Sequence, residues 1–381
     1  MVRSFLALHS VDPGLGNPET VLTLQIGISS GEIPDLEEMI RTHELIGERL
    51  SDLPGVSSVG LTSKLPMGGG VNVNPVWVEG FAYSEGTPPP NMQYTWVGGD
   101  YFETMQIPLL AGRYLTRSDA SDRVPVVVVS ESMALQYWHS PAEAIGKRMS
   151  GGRTPGEGGW REIVGVVGDV RDDGITRAPP PITYWPLVTP NPWEAIDGVA
   201  LIAPRHVSYA IRTERAGAPG FLQEVRQTIA SVNPNLPAES VQMLDEILSR
   251  GMARTSFMLA MLGIAAGVAF VLAIVGAYGV VSYIVSQRTR ELGVRMAVGA
   301  HPAAVVRSVL KHGLVLSASG LGFGLVAAYW MSHLLEAFLF GVDPVDPMTF
   351  AIVALSLVAA TLLACFLPAQ RAARIDPIRA L

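Results

Sequence analysis

Three long runs without a charged side chain lie in the last third of the 381-residue chain, and they constrain its fold more than any other feature. No Asp, Glu, Lys or Arg occurs at residues 255–287, 313–335 or 347–370. A helix of roughly 20 apolar residues is long enough to cross the hydrocarbon core of a bilayer, which is about 30 Å thick. We therefore predict an all-α membrane domain at residues 255–381. Its three predicted transmembrane helices are residues 257–285, 313–335 and 347–369.

The charges between these runs predict how the chain crosses the membrane. The loop at 286–312 carries five basic residues and one acid, whereas the loop at 336–346 carries three acids and no Lys or Arg. Cytoplasmic loops are enriched in Lys and Arg, so the first loop is predicted inside and the second outside. The tail at 371–381, with Arg371, Arg374 and Arg379, is predicted inside by the same rule. Residues 1–254 then lie on the outer face.

The predicted outer domain is acidic and the membrane domain is weakly basic. Residues 1–254 hold 19 Lys and Arg against 29 Asp and Glu, and residues 255–381 hold 8 against 5. Binding to phosphates needs a clustered basic surface, so nucleic acid is not a predicted partner. The single cysteine, Cys365, cannot form an intramolecular disulfide and indicates nothing about the redox compartment.

The beginning of the chain does not resemble a signal peptide, although the topology requires export of about 250 residues. The apolar run from Phe5 to Leu8 is shorter than the 7 to 15 apolar residues of a signal peptide. We expect that a membrane helix precedes this chain in the complete protein.

Two strand-helix-strand units at the ends of the outer domain predict an α+β fold. The first is "VLTLQIGI", a helical pattern from Leu36 to Leu50, and "VSSVGLTS". The second is "SYAIRT", a helical pattern with Phe221, Val225 and Ile229 on one face, and "ESVQML". Such a pair is typical of a split βαβ, ferredoxin-like sandwich. We assign residues 21–64 and 200–245 to this subdomain.

The segment between the two units is predicted to form an inserted, mostly β subdomain at residues 65–195. It is rich in Pro and Gly and contains strand patterns such as "VPVVVVS" and "REIVGVVGDV". After the second unit, a helical pattern at 243–254 continues almost directly into the first predicted span. This continuity would couple the outer domain mechanically to the membrane.

No set of residues in the sequence predicts catalysis, a cofactor or a metal. The region around Lys147 lacks the glycine and the hydroxyl residue of a phosphate-binding loop, and no HExxH, paired Cys or GxSxG motif occurs. Asp169, Asp172 and Asp173 are spaced unlike a calcium loop, and a solvated turn is the favoured interpretation. We therefore predict that the chain is not an enzyme.

Pairs of small residues in the predicted spans indicate close helix packing. Gly263 and Gly267, and Gly320 and Gly324, have the spacing at which helix backbones approach one another in membranes. His333, in the second span, is interpreted as an interfacial polar residue near the outer end, with a proton relay as the alternative.

Six segments in order resemble one family. They are "LPGVSSVGLTSKLPMGGG", "VGGDYFETMQIPLLAGRYLT", "YWHSPAEAIGKRM", "WREIVGVVGDVRDDG", "SQRTRELGVRMAVGA" and "PAQRAARIDPIRAL". Together they resemble the MacB/FtsX-type permeases of ABC transporters, over essentially the whole chain. The resemblance implies a periplasmic core domain, a bacterial inner-membrane location and four membrane helices, the first of which would precede this chain.

The resemblance also implies a role for the charged segment between the first two spans. It would be a coupling helix that binds a cytoplasmic ABC ATPase subunit, and the permease would work by mechanotransmission, as a homodimer or paired permease and with a possible periplasmic or outer-membrane partner. The residues carried over to this role are Arg288, Arg290, Glu291, Gly293, Arg295 and Gly299.

Two other interpretations remain open from the residues alone. Glu291 and Arg295, at i and i+4, are also compatible with a simple surface pair worth a few tenths of a kcal/mol. The whole chain is also compatible with a membrane-anchored extracytoplasmic sensor or scaffold that no ATPase drives. A cytoplasmic ATPase that co-purifies with the 286–312 loop would favour the permease.

Overall fold

A computed structural model describes most of the outer domain and part of the apolar region. The described residues are 12–70, 72–83, 89–152, 154–174, 177–191, 201–287, 318–330 and 347–373, with 307, 311 and 315. The chain divides into a compact unit at Val11–Arg254 and a second unit that contains Thr255–Leu381.

The first unit is an α+β domain. Its strands are β1 (Val21–Gly27), β2 (Val56–Thr62), β3 (Val73–Val78), β4 (Asn91–Gly99), β5 (Leu109–Gly112), β6 (Val126–Ser130), β7 (Arg148–Gly151), β8 (Arg161–Val167), β9 (Ile182–Pro186), β10 (Thr189–Pro190), β11 (Leu201–Ile202), β12 (His206–Thr213) and β13 (Glu239–Met243). Its helices are α1 (Leu36–Ser51), α2 (Tyr101–Met105), α3 (Arg117–Ser121), α4 (Glu131–Trp138), α5 (Pro141–Ala144) and α6 (Phe221–Val232).

The strands of the two terminal strand-helix-strand units lie side by side in the order β13-β1-β12-β2, and all three pairings are antiparallel. Helices α1 and α6 contact each other. Helix α1 begins where the side chain of Asp35 accepts a hydrogen bond from the Glu38 N–H at 2.7 Å, which satisfies one free donor of the first turn. Met39, Ile46 and Leu50 recur at helical spacing and are fully buried.

Six strands from the middle of the domain pair in a closed ring. The ring runs β4-β3-β7-β8-β6-β9 and closes because β9 also pairs with β4. The closing pair is parallel and matches Gln93 with Ile182 through Val97 with Pro186. Closure leaves these strands without free edges, which protects them from pairing with other chains. The end of β4 pairs with the end of β2, so the ring is continuous with the four-stranded set.

Two apolar cores stabilise the domain. The larger lies beneath α1 and α6 and extends into the ring, where it includes Trp185. The second gathers Tyr101, Phe102 and Met105 of α2 around Tyr184. Helix α2 reaches this position because β2 carries Gly60, where a Cβ atom would lie 2.6 Å from the Tyr101 Cα.

Three apolar helices are described in the rest of the chain. They are α7 (Leu244–Gln287), α8 (Ala318–Trp330) and α9 (Pro347–Ala373). Helix α7 is uninterrupted over 44 residues; its beginning belongs to the first unit and the remainder to the second.

Candidate functional site: the root of the long helix

The first turns of α7 are built into the second apolar core. The strand β13 ends at Met243 and α7 begins at the next residue, so no loop separates sheet from helix. Leu244, Ile247 and Leu248 are all at least 95% buried and pack with the aromatic residues of α2. Burying one such side chain stabilises the fold by about 1.5–3 kcal/mol. The start of α7, residues 244–251, is therefore held by the domain core, and we call it the root of α7.

A short loop after β2 packs against the same part of α7. We call residues 64–67 the clasp loop. Its Leu65 and Met67 pack against the second core, and the Met67 Sδ would lie 3.3 Å from a Cβ atom added at Gly251 of α7. The hydroxyl of Thr62 donates to the Lys64 carbonyl at 2.8 Å and fixes the start of the loop. Gly251 thus gives the loop room to lie directly on the helix.

An ion pair joins the clasp loop to a distant turn. The Lys64 ammonium donates to the Asp172 carboxylate, and each side chain is only 11% exposed. Burial raises the pKa of Asp172, while the neighbouring Lys64 charge opposes this effect. Tyr101 and Tyr184 line the same site, and burial raises the pKa of both phenols. In such a poorly solvated site, removal of either charge would leave the other buried without a counter-ion, which would destabilise the fold.

Two of the three aspartates near this turn have different partners. Asp172 pairs with Lys64, whereas the Asp169 carboxylate accepts from the Ser132 N–H at 2.8 Å at the start of α4. The prediction of a solvated turn is therefore wrong for Asp172. Within the part of the chain that the structure describes, no group of three His, Cys, Asp or Glu side chains is placed to hold a metal ion. The absence of enzyme activity stays a prediction.

The predicted coupling residues follow the end of α7. The described part of this helix extends to Gln287, where the side-chain amide donates to the Tyr283 hydroxyl at 2.7 Å. The residues assigned to ATPase coupling, Arg288, Arg290, Glu291, Gly293, Arg295 and Gly299, lie outside the described residues. His333, Arg374 and Arg379 lie outside them as well.

The glycines predicted to pack against other helices lie on described helices. Gly263 and Gly267 are in α7, and Gly320 and Gly324 are in α8. No described atom lies within 4 Å of the Cβ position of any of these glycines, apart from the neighbouring backbone of each helix. Their role in helix packing stays a prediction.

The apolar helices expose large hydrophobic side chains. Within α7, the segment Ala260–Ile284 is long enough to span a membrane and has a mean hydropathy of 2.4. Leu272 on α7 is 64% exposed and Trp330 on α8 is 73% exposed. The apolar segments Ala318–Trp330 and Phe350–Ala364 are shorter than a full span within the described residues. One span thus meets the length requirement in the described part of the chain, and the count of three stays a prediction.

Family models match both parts of the chain. The model described as the MacB-like periplasmic core domain matches residues 9–189, and the one described as the FtsX-like permease C-terminal matches residues 263–377. The two matched ranges cover most of the chain and define it as an ABC-transporter permease. It belongs to the MacB/FtsX-type permeases, and the resemblance found in the sequence is confirmed.

Individual relatives are distant. The macrolide export ATP-binding/permease protein MacB of Hahella chejuensis is 25% identical over 297 residues, which are 76% of this chain and 43% of that protein. The probable syringafactin export ATP-binding/permease protein SyfD of Pseudomonas syringae is 24% identical over 293 residues, with shares of 76% and 42%. This chain therefore spans less than half the length of these curated relatives.

Solved structures are also similar to the chain. The crystal structure of the periplasmic region of MacB from Actinobacillus actinomycetemcomitans aligns with a TM-score of 0.38 and 16% identity. The alignment covers 64% of this chain and 97% of that one.

The domain extends beyond the first matched range. Residues 190–262 lie between the two family matches. They include β12, which lies between β1 and β2, and β13, which pairs with β1. The sheet is therefore incomplete without them, and they connect the periplasmic-type domain to the permease part.

Proposed function

We propose that the chain is a permease subunit of an ABC transporter that works by mechanotransmission, for efflux or envelope remodelling. The single observation that carries this proposal is the continuity of α7. One helix runs from Leu244, in the core of the first unit, to Gln287, one residue before the predicted coupling segment. A helix can transmit displacement along its axis because successive turns are joined by backbone hydrogen bonds between residues i and i−4.

The partners follow from this proposal. A cytoplasmic ABC ATPase subunit would bind the 286–312 loop, and closure of the ATPase would move α7. A second permease, identical or paired, would complete the transporter, and a periplasmic or outer-membrane protein would receive the cargo. The names of the curated relatives, which combine ATP binding with a permease and with export, support the ATPase partner.

We further propose the subdomain layout predicted above. Residues 21–64 and 200–245 would form the ferredoxin-like subdomain, and residues 65–195 the inserted β-rich one. The antiparallel order β13-β1-β12-β2 supports the first assignment, and the closed ring of six strands supports the second.

The proposed topology places the chain in the inner membrane with three crossings. Residues 1–254 and 336–346 would face outward, and residues 286–312 and 371–381 inward. Single cysteines at Ser121, Ala303 and Asp343, in a Cys365→Ala background of the complete gene, test this arrangement. A membrane-impermeant thiol reagent should label Ser121→Cys and Asp343→Cys in intact cells and leave Ala303→Cys unlabelled. Labelling of Ala303→Cys would reject the scheme.

The coupling role is tested by reversing two charges. Glu291→Arg combined with Arg295→Glu should preserve expression and membrane insertion, because exposed ion pairs contribute only about 0–1 kcal/mol. It should abolish stimulation of the co-purifying ATPase, since misplaced charges at an interface cost several kcal/mol.

Helix α7 offers a matched control at its other end. Glu246 and Arg250 form an exposed i, i+4 pair at 3.6 Å, and Glu246→Arg with Arg250→Glu changes the same charges. This control should leave ATP hydrolysis unchanged. Unchanged hydrolysis in the Glu291/Arg295 reversal would remove that pair from the mechanism, and failure to find any nucleotide-dependent partner would favour a sensor or scaffold.

A further inference from the structure

A cavity of about 270 Å³ lies beside α1. Its walls come from α1, the ends of β2 and β4, and the segment that contains α3. The floor is apolar and consists of Val59, Leu61, Val97, Phe102, Leu115 and Leu187. Pockets for drug-sized ligands have volumes of about 300–1,000 Å³, so this slightly smaller cavity suits a compact ligand.

Three glycines keep the cavity open. Gly47 of α1 and Gly98 and Gly99 of β4 all line it. Gly99 has a φ of 58°, and a Cβ atom there would lie 2.6 Å from the Val59 carbonyl oxygen. A side chain at Gly99 is therefore excluded by strain and by collision. The walls at these positions are bare backbone.

The rim of the cavity carries more negative than positive charge. Glu44 and Glu48 lie one turn apart on α1, and Arg117 of α3 faces them. The Glu48 carboxylate pairs with Arg117 at 2.8 Å, whereas no ion pair of Glu44 is found among the described residues. Partial burial, and then the charge of Glu48, raises the pKa of Glu44. Within the described part of the chain, one carboxylate at the mouth therefore lacks a counter-ion of its own.

We propose that this cavity binds a small apolar cation, in which a compact hydrocarbon body carries one ammonium group and Glu44 is the counter-ion. The apolar floor favours the hydrocarbon body because its burial removes apolar surface from water. The carboxylate of Glu44 favours a positive charge over a neutral or negative one. This site does not depend on the permease mechanism, and it is much smaller than a surface that would hold a partner domain.

Two probes of the same shape and opposite charge test the proposal. The full chain in lipid nanodiscs is titrated with 1-adamantanamine and, separately, with 1-adamantanecarboxylate, and empty nanodiscs correct for partition into lipid. The amine should bind saturably, with a dissociation constant on the order of 1 mM or tighter for so small a ligand. It should bind at least about tenfold tighter than the carboxylate, and the absence of saturable binding would overturn the proposal.

Variants locate the binding. Glu44→Gln should weaken binding of 1-adamantanamine about five- to tenfold. Binding of 1-adamantanecarboxylate should be unchanged or tighter. Glu38→Gln, which removes an equal charge from the same helix outside the cavity, should have no effect. Ala120→Phe should abolish binding because Ala120 lines the cavity and is half-buried.

The same variants separate binding in this cavity from binding elsewhere on the chain. Equal effects of Glu44→Gln and Glu38→Gln would show a general response to net charge and reject the site. Unchanged binding in Ala120→Phe, with native tryptophan fluorescence, would place the ligand elsewhere. If Ala120→Phe does not fold, the comparison of Glu44→Gln with Glu38→Gln still tests whether the ligand binds at Glu44. Both glutamates are exposed, so neither substitution should disturb folding.

Discussion

Loss of the Lys64 charge should destabilise the outer domain strongly, although the residue lies in a loop. Lys64→Met keeps an unbranched side chain only one atom shorter and leaves the Asp172 carboxylate without its cation. Breaking a fully buried pair costs about 3–5 kcal/mol. Both side chains keep 11% exposure, and the Met67 backbone still stabilises the carboxylate, so we expect about 2–4 kcal/mol at neutral pH.

The loss should depend on pH in a defined direction. The folded pKa of Asp172 already lies above its ordinary value of 3.8, because burial outweighs the effect of Lys64. Without Lys64 this pKa rises further, so the folded state binds the proton more tightly than the unfolded state. The electrostatic deficit is then absent below about pH 4, grows as the pH rises through the folded pKa, and is complete only above that pKa.

Urea titrations of the full chain in nanodiscs at several pH values measure this effect. Tryptophan fluorescence is a suitable signal because six of the seven tryptophans lie before residue 255. Lys64→Met with Asp172→Asn removes both charges and should recover most of the stability. A loss below about 0.5 kcal/mol, or one that does not vary with pH, would refute the argument and show that the pair is screened by solvent.

Three further variants probe the cores. Gly60→Ala should destabilise the domain by at least about 2 kcal/mol in the same urea assay, because its Cβ would lie 2.6 Å from Tyr101, whereas Gly217→Ala, which meets no atom within 4 Å, should be nearly neutral. Burial lowers the pKa of His43 to about 4, so the domain should lose up to about 3 kcal/mol as the pH falls from 6.5 to 4, and His43→Leu should remove this slope. Leu248→Ala, at 5% exposure, should cost about 2–4 kcal/mol, and a smaller loss would contradict the buried root.

The local elements of the outer domain were predictable from the sequence. The helical spacing of Met39, Ile46 and Leu50 predicts α1, and the pattern of Phe221, Val225 and Ile229 predicts α6; both helices are confirmed. These segments are amphipathic, so their periodicity reports directly on which face is buried. The strands beginning at Val21, Val56, Val126 and Arg161 are also confirmed, although the strand at Val126 is buried at every position and is marked by its run of valines rather than by alternation.

The long-range pairings were not predictable from a single sequence. The ring closes through β4 and β9, which pair Gln93 with Ile182, and no local pattern specifies such a partner. The Lys64–Asp172 pair likewise joins residues 108 apart. Lys64 and Asp172 lie in segments that carry the family resemblance, "LTSKLPMGG" and "VGDVRDDG". Their contact is visible only in the structure.

The candidate site was predictable in part. The sequence places a charged segment, predicted to have a coupling role, between two apolar runs. It also predicts a helix that continues from 243–254 into the first span, and the uninterrupted α7 confirms that continuity. The sequence does not predict how the start of this helix is held. No local sequence pattern identifies the role of Gly251, because that role is to make room for Met67, a residue far away in the chain.

If α7 moves as proposed, the way its root is held would determine which part of the outer domain is displaced first. Burial of Leu244, Ile247 and Leu248 together stabilises the fold by about 4.5–9 kcal/mol, so separating the root from the surrounding core costs far more than moving the two together. The clasp loop is held to α7 less firmly than the root is held in the core, because its contact at Gly251 is made by the flexible side chain of Met67. A change in α7 would therefore reach the Lys64–Asp172 pair through the clasp loop before it disturbs the core, since sliding one methionine costs less than opening three buried aliphatic contacts.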